Sequence, residues 1–406
     1  MAEFKFLEFF AGVGMARLGL GSKWECLWAN DISPKKAEIY CRNHGSDHFH
    51  LGDVSLIQDV PNNADMAWAS FPCQDLSLAG WRRGMTAGRS GAFWPFWEHM
   101  ARLMSQSGRP PIIVVENVVG LLHSDDFAGL CESLLALGMQ FGAVVIDAST
   151  FLPQSRPRVF IVAVDMRVNT SDFTIQRPEK SSWFPDSLQE IKASLPEHVQ
   201  AAWRWWRLPR PEESVQPIEE IIDREPTGVR WNSEEETERL LAMMTERNRA
   251  KVDMAKSRGG FQVGFLYKRV RNGVQRAEVR FDGVAGCLRT PTGGSSRQTV
   301  IIVENGMVRT RLLSPREAAR LMGVPDSFWL PSAYNQAYEA MGDGVAVPTV
   351  AWLSEHLLLP MQQRCSLYGE MIRGTQFVTA HGEIAASHEM TARLAQQWRA
   401  QEYANV

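Results

Sequence analysis

A cysteine that follows a proline, Cys73 in Phe71-Pro72-Cys73-Gln74, and a glutamate about forty residues later, Glu116 in Glu116-Asn117-Val118, are the residues with the most chemistry to offer in this 406-residue chain. A thiolate is a strong nucleophile, and a carboxyl group beside it can absorb the charge that develops on whatever the thiolate attacks. The target that suits such a pair is a pyrimidine ring. Carbon C5 of cytosine is a poor nucleophile, and adding a thiolate at C6 pushes electron density onto it, which divides one hard step into two easier ones. Cys73 needs an electropositive surrounding or a helix N-terminus to react near neutral pH, because a free thiol titrates near ~8.5. Glu116, acting as a neutral acid at ring N3, needs an apolar site to keep its proton. This chemistry requires no metal.

Two short strands must carry the pair. Asp65 to Ser70 reads as one buried strand and Pro111 to Val115 as a second, so Cys73 and Glu116 each fall just past a strand's carboxyl end. That edge is where open α/β sheets bind ligands. From Phe4 to Val164 apolar or β-branched runs, among them Trp24 to Asn30, alternate with helical stretches, clearest at Pro34 to His44, Phe93 to Ser105 and Asp125 to Leu137. The alternation predicts an α/β fold with a mostly parallel, doubly wound sheet. It breaks near Arg177-Pro178, and the irregular stretch beyond carries Trp203, Trp205, Trp206 and Trp231 among arginines, like the target-recognition part of a small second domain. Core filling is the expected role for most of these rings.

Three segments are therefore expected: an α/β domain over 1–178, completed by about 338–360; a second domain and hinge over 179–337; and a tail over 361–406 with an amphipathic helix from Glu389 to Tyr403. No long apolar span appears, and the N-terminus runs into a predicted strand without a signal-peptide pattern, so membrane insertion and secretion are not expected. The six cysteines include no C-x-x-C pair, which argues against a disulfide framework or a zinc site. The formal charge of −3 does not advertise nucleic acid, but between Lys268 and Arg311 nine basic residues face three acids. Such a patch suits phosphate contacts that weaken steeply with salt.

The order of motifs resembles the DNA cytosine-5 methyltransferase family, from about Phe4 to His356. Phe6-Leu-Glu-Phe-Phe-Ala-Gly-Val-Gly14 is similar to the family's opening strand and glycine turn, where the missing Cβ of Gly12 and Gly14 lets backbone approach S-adenosylmethionine. The resemblance places Phe10 and Ala11 at that cofactor too. It assigns Asp31, with Ile32, to the ribose, and Asp53, with Val54, to the adenine; the usual family residue at Asp31 is Glu. Pro72, Ser90 and Phe93 would line the same pocket, Ser90 standing where Arg is usual. Gln154-Ser-Arg156-Pro-Arg158 resembles a Gln-x-Arg-x-Arg motif at the start of a strand, where residues two apart share a side. The resemblance implies that Arg158 contacts the cytosine O2 and that Arg156 orients the carboxylate and backbone near the nucleophile.

The loop after Cys73, with Gln74 and Ser77, and the element Cys287-Leu288-Arg289-Thr290 through Arg297 are implied to meet DNA, specifically Arg289, Thr290 and Arg297. Ser314-Pro315 is expected to cap a helix, with Glu317 organising the recognition domain. Gly342-Asp343-Gly344-Val345 is similar to the closing Gly-Asn-Ser-Val motif, which shapes the cofactor pocket through Asp343 and Val345; Asp and Gly replace the usual Asn and Ser. What the resemblance implies is a Rossmann-like methyltransferase sheet with a smaller recognition domain, acting on double-stranded DNA as a cytoplasmic monomer in a bacterial cell or phage-infected host. The role implied is either restriction-modification beside a cognate restriction endonuclease or orphan or phage modification without one, and no stable protein partner is required. The alternatives are a related tRNA cytosine-5 methyltransferase and a catalytically silent DNA-binding scaffold. A nicotinamide-dependent oxidoreductase leaves the second half of the motif order unexplained.

Overall fold

A computed structural model of the chain describes residues 2–72, 93–106, 110–124, 126–178, 183–212, 215–271, 273–289 and 297–374. The first half alternates as the apolar periodicity predicts: β1 (Phe4–Phe9), α1 (Met15–Leu20), β2 (Trp24–Asp31), α2 (Pro34–His44), β3 (Phe49–Leu51), β4 (Met66–Ala69), α3 (Phe93–Ser105), β5 (Ile112–Val118), α4 (Phe127–Ala136), β6 (Met139–Asp147) and β7 (Pro157–Asp165). Their strands form one seven-stranded sheet in the order β3-β2-β1-β4-β5-β7-β6. Only β7 runs against its neighbours β5 and β6. The strand order reverses between β1 and β4, which are hydrogen-bonded neighbours. A crevice opens beyond the carboxyl ends of strands at such a reversal, and the glycine turn after β1 and Phe71-Pro72 after β4 both lie there.

Local chemistry sets the helix boundaries that matter. The Ser33 side chain accepts from the backbone of Lys36 and Pro34 occupies the first turn, so α2 starts one residue after a cap and close to Asp31. Strand β5 is longer than the apolar run suggests. It continues through Glu116 and Asn117 to Val118 because antiparallel β7 pairs with each of them, Glu116 opposite Phe160 and Val118 opposite Arg158. Glu116 therefore sits within the end of a strand rather than beyond it.

The second half supplies β8 (Thr174–Ile175), α5 (Asp186–Ser194), α6 (Glu197–Ala202), β9 (Trp205–Trp206), α7 (Ile218–Ile221), α8 (Glu234–Ala242), α9 (Glu246–Arg258), β10 (Phe261–Arg271), β11 (Val274–Arg280), β12 (Thr299–Glu304) and β13 (Met307–Leu312). Strands β10 to β13 form an antiparallel sheet in the order β11-β10-β12-β13, over a small core of its own that includes Leu241, Val252, Leu266 and Ile301. The described residues end with α10 (Pro315–Leu321), α11 (Tyr334–Asp343), α12 (Val347–Leu353) and α13 (Leu359–Gly374). Ser314 and Glu317 form a reciprocal capping box at α10, and Glu317 also binds Arg311 with both oxygens at 2.7 and 2.8 Å, wholly buried. The helix proposed from Glu389 to Tyr403 lies outside the described residues.

The tryptophans do fill a core, but for Trp203, Trp205 and Trp206 it is the core of the large sheet. Trp206 donates to the carbonyls of Gly142 and Val162, and Trp203 packs on Phe141 with ring centroids 6.0 Å apart. Gly142 makes room, since a Cβ there would stand 1.8 Å from the carbonyl oxygen of Arg204. The segment reads as irregular because it covers the edge strand β6 instead of forming a layer.

A buried polar knot underlies the glycine turn. Glu8 of β1, 1 % exposed, accepts from the backbone N–H of Arg17 at 3.2 Å and from the Tyr40 hydroxyl at 3.3 Å, and Arg17 also contacts His48. Burial raises the Glu8 carboxyl from 4.5 to about 7, against the opposing pull of those partners. The folded chain thus holds this proton to higher pH than the unfolded chain, so the group costs stability as pH rises from 4.5 to about 7. In urea titrations at pH 5 and pH 8, Glu8→Gln should gain on the native chain by about 2 kcal/mol between the two conditions. An identical difference at both pH values would show that Glu8 is ionised throughout.

Candidate active site

Strands β4 and β5 are parallel neighbours, and their carboxyl ends bring the two motifs together. Phe71 is buried, with its ring 5.6 Å from that of Phe93, and its carbonyl accepts from the Asn117 side chain at 3.2 Å. The turn that leads into Cys73 is thereby fixed to the residue next to Glu116. Pro72 is exposed at the mouth of the crevice, while Cys73, Gln74, Ser77 and Ser90 lie outside the described residues.

The surroundings of Glu116 differ from the apolar site expected. Its carboxylate is 7 % exposed and has Arg158 Nε at 3.3 Å from Oε1. The antiparallel register of β5 and β7 creates this approach, because Val118 lies opposite Arg158 and Glu116 opposite Phe160, two residues along each strand. A carboxyl group and a guanidinium on adjacent strands can together hold the hydrogen-bonding edge of a planar ring.

Arg156 takes another path. It precedes β7 and is buried, its backbone N–H donating to Asp147 at 2.7 Å. Its guanidinium donates to the carbonyls of Leu288 at 3.0 Å and of Gly342 and Gly344 at 2.6 Å each, and reaches Cys287 Sγ at 3.4 Å. Burial, then the nearby Arg158, lowers this guanidinium to about 10. The two arginines thus divide the work, Arg158 facing Glu116 and Arg156 joining the recognition element to the closing motif. Burial pushes the Cys287 thiol up, yet Arg156, Arg158 and Arg289 together hold it below its ordinary value.

The cofactor side begins at the turn after β1. Phe10 and Gly12 have φ of 56° and 58°, and Ala11 donates to the Asn30 carbonyl at 2.7 Å. A Cβ on Gly12 would meet nothing within 4 Å, so this glycine borders open space. Gly14 has a different duty: its φ is 80° and a Cβ there would stand 2.4 Å from His44 Nε2, so the second glycine lets α2 pack closely. Asp31 accepts from Gly12 N at 2.9 Å and from Ser33 N at 2.8 Å, which leaves lone pairs on both oxygens at the end of β2. Beside it Ile32 is 66 % exposed, an apolar side chain on the crevice side of a strand end.

Asp53 is exposed and caps a short turn by accepting from Ser55 at 2.9 Å, while Val54 is buried beneath it. Phe93 is wholly buried and backs the crevice through Phe71. Val345 is buried, and Asp343 pairs with Lys36 at 2.7 Å. Paired acids at two strand ends, an exposed aliphatic side chain between them and an open glycine turn fit a nucleoside with ribose hydroxyls and a ring amino group. Lys36, Asn117 and Cys287 had no role in the sequence reading; the signal for Lys36 was an acid in the closing motif that needed a counter-charge.

The basic stretch is less available than its composition suggests. Arg311 is consumed by Glu317, Arg269 pairs with Glu278 at 3.5 Å and Arg280 with Asp282 at 2.6 Å. Arg297 stands over the Tyr334 ring and Arg309 over Trp231, at 5.5 and 4.2 Å from the ring centroids. Lys268, Arg276 and Arg289 are exposed, and Thr290 lies outside the described residues.

Comparison with known proteins agrees with this geometry. The chain is 27% identical over 369 residues to the type II methyltransferase M.BsuFI of Bacillus subtilis, covering 88% of this chain and 74% of that protein. It is 26% identical over 360 residues to M.HhaI of Haemophilus parahaemolyticus, covering 87% and 94%. Among solved structures, a Spodoptera frugiperda DNMT2 variant superposes with a TM-score of 0.58 at 17% identity, over 89% of this chain and 99% of that one, which establishes the shared fold. Among the described residues, no helix is long and apolar enough to cross a membrane. The pattern of C-5 cytosine-specific DNA methylases matches residues 4–358, from β1 past α12, and the chain belongs to that family of DNA cytosine-5 methyltransferases.

Proposed function

We propose that the chain methylates C5 of a flipped-out cytosine within one short sequence of double-stranded DNA, through a covalent bond between Cys73 and C6. The observation that supports this reading is the hydrogen bond from Asn117 to the Phe71 carbonyl, which ties the residue two before Cys73 to the neighbour of Glu116. Extrusion of the base costs a few kcal/mol of stacking and pairing, offset by contacts in the pocket. Glu116 faces N3 and Arg158 faces O2, so the charge that develops as the thiolate adds is met on both polar positions of the ring. The Sγ–C6 bond forms and the electron pair moves toward C5. S-adenosylmethionine, when bound, supplies the methyl group as an electrophile on sulfur and leaves as the thioether. Loss of the C5 proton to a base then returns the electron pair, breaks Sγ–C6 and restores the Cys73 thiolate.

On the cofactor side Asp31 is offered to the ribose, Asp53 to the adenine amino group, and Phe10 and Ile32 to the faces of the adenosine. The role of the chain would be modification of bacterial or phage DNA, and the relatives named above are type II methyltransferases of bacteria. The test is direct. The purified chain is incubated with S-adenosylmethionine and unmethylated genomic DNA, and protected cytosines are mapped by bisulfite sequencing. Protection at one recurrent short sequence is the expected result. Protection confined to a parallel tRNA sample would move the substrate to RNA, and none in either would leave a silent scaffold.

A further inference from the structure

The closing motif Gly342-Asp343-Gly344-Val345 departs from Gly-Asn-Ser-Val at two positions, and each departure has a counterpart elsewhere in the chain. A Cβ on Gly344 would stand 2.0 Å from Met15 Sδ, so glycine admits the methionine of α1. The extra charge of Asp343 is met by Lys36 Nζ at 2.7 Å. The Lys36 and Asp343 side chains are 29 % and 40 % exposed, so the pair lies at a rim. It is also held in place. Arg156 binds the carbonyls on both sides of Asp343, at Gly342 and Gly344, and Lys36 sits in the first turn of α2, whose Ser33 cap is itself bonded to Asp31.

Burial acts to lower the Lys36 ammonium, but Asp343 foremost, then Asp31 and Glu339, raise it above its ordinary value. Lys36 is thus held by three carboxylates, two of which the cofactor reading places at the pocket.

We propose that the Lys36–Asp343 ion pair sets the electrostatic balance of the cofactor crevice and so fixes how strongly the chain prefers S-adenosylmethionine over its demethylated product. The inference rests on the cofactor assignment made above. The two ligands share every group except the methyl and the positive charge that it places on sulfur. A change of one unit in the charge of the crevice therefore acts on one of them and largely spares the other. Removing the cation should favour the sulfonium, and removing the anion should disfavour it. At the distances of a small crevice and the dielectric of a partly exposed site, one unit of charge corresponds to roughly a three- to tenfold change in the ratio of the two dissociation constants.

Calorimetry or equilibrium dialysis with S-adenosylmethionine and with S-adenosylhomocysteine tests this on the full chain without turnover. Lys36→Gln should raise the preference for the sulfonium by roughly three- to tenfold and Asp343→Asn should lower it by a similar factor. The double variant Lys36→Gln/Asp343→Asn should return within about twofold of the native ratio, and added salt should shrink both single effects. If the affinities of both ligands change by a common factor and the ratio stays put, the pair has only a structural role and the proposal is overturned. If the native chain binds neither ligand, the cofactor assignment itself fails and carries this inference with it. Lys36→Arg, which keeps the charge, should preserve the ratio and guards against misfolding as the explanation.

Discussion

Cys73→Ala should lower kcat by on the order of 10⁴-fold or more while leaving the affinity for S-adenosylmethionine within about twofold. The size of the effect follows from the reaction rather than from packing. Without addition at C6, C5 must attack the methyl donor from an aromatic ring that has gained no electron density. The acid and the glycine turn proposed for the cofactor, Asp31 and Gly12, lie on other segments of the chain, at the ends of β2 and β1. Single-turnover methylation of a cognate duplex measures the first quantity and calorimetry the second. A duplex with 5-fluorocytosine at the target provides an independent readout, since fluorine cannot leave as the C5 proton does. The native chain should remain attached through denaturing electrophoresis, and Cys73→Ala should run free. Methylation at the native rate by the variant would remove the covalent step from the mechanism.

Glu116→Gln should reduce kcat by roughly 10²- to 10⁴-fold, the range for loss of a positioned acid or base, with a smaller change in DNA affinity. The amide keeps the shape of the side chain and can still donate a hydrogen bond to N3, so any loss isolates the acid chemistry and the charge. The ion pair matters to the prediction. Arg158 Nε stands 3.3 Å from the carboxylate, and replacing the carboxylate removes that constraint on the guanidinium proposed for O2. Adduct formation with the fluorinated duplex should slow by a similar factor, because the deficit lies in the addition step. A variant that forms adduct at the native rate but methylates slowly would move Glu116 to a later step. Thermal unfolding in parallel separates this from a loss of fold.

Much of the frame was legible in the chain because local rules and tertiary packing agree there. The Ser33-Pro34 cap and the apolar face of Phe93 to Ser105 gave α2 and α3 their observed ends. The capping box at Ser314 was equally plain, since a cap needs only residues three positions apart. Where a partner far along the chain decides, the sequence was silent. Glu116 and Asn117 read as residues just past a strand, and pairing with β7 carries the strand through them. Spacing alone put Arg156 and Arg158 on one side, whereas Arg156 lies before the strand and turns toward carbonyls more than 130 residues away. Counting charges could not distinguish Arg311, buried against Glu317, from the exposed Lys268. The same blindness made Asp343 look like an anomaly until Lys36 appeared beside it.

The bonds of Arg156 also bear on the order in which the molecule is completed as it leaves the ribosome. Its guanidinium is synthesised 132 residues ahead of the Leu288 carbonyl, and 186 and 188 residues ahead of those of Gly342 and Gly344. Until those segments emerge, a permanently charged group at the start of the last large strand has only water to satisfy it. The large sheet, although nearly all of it is encoded first, is therefore finished last, and the closing motif acts as the keystone that seals a charge left open since the middle of translation.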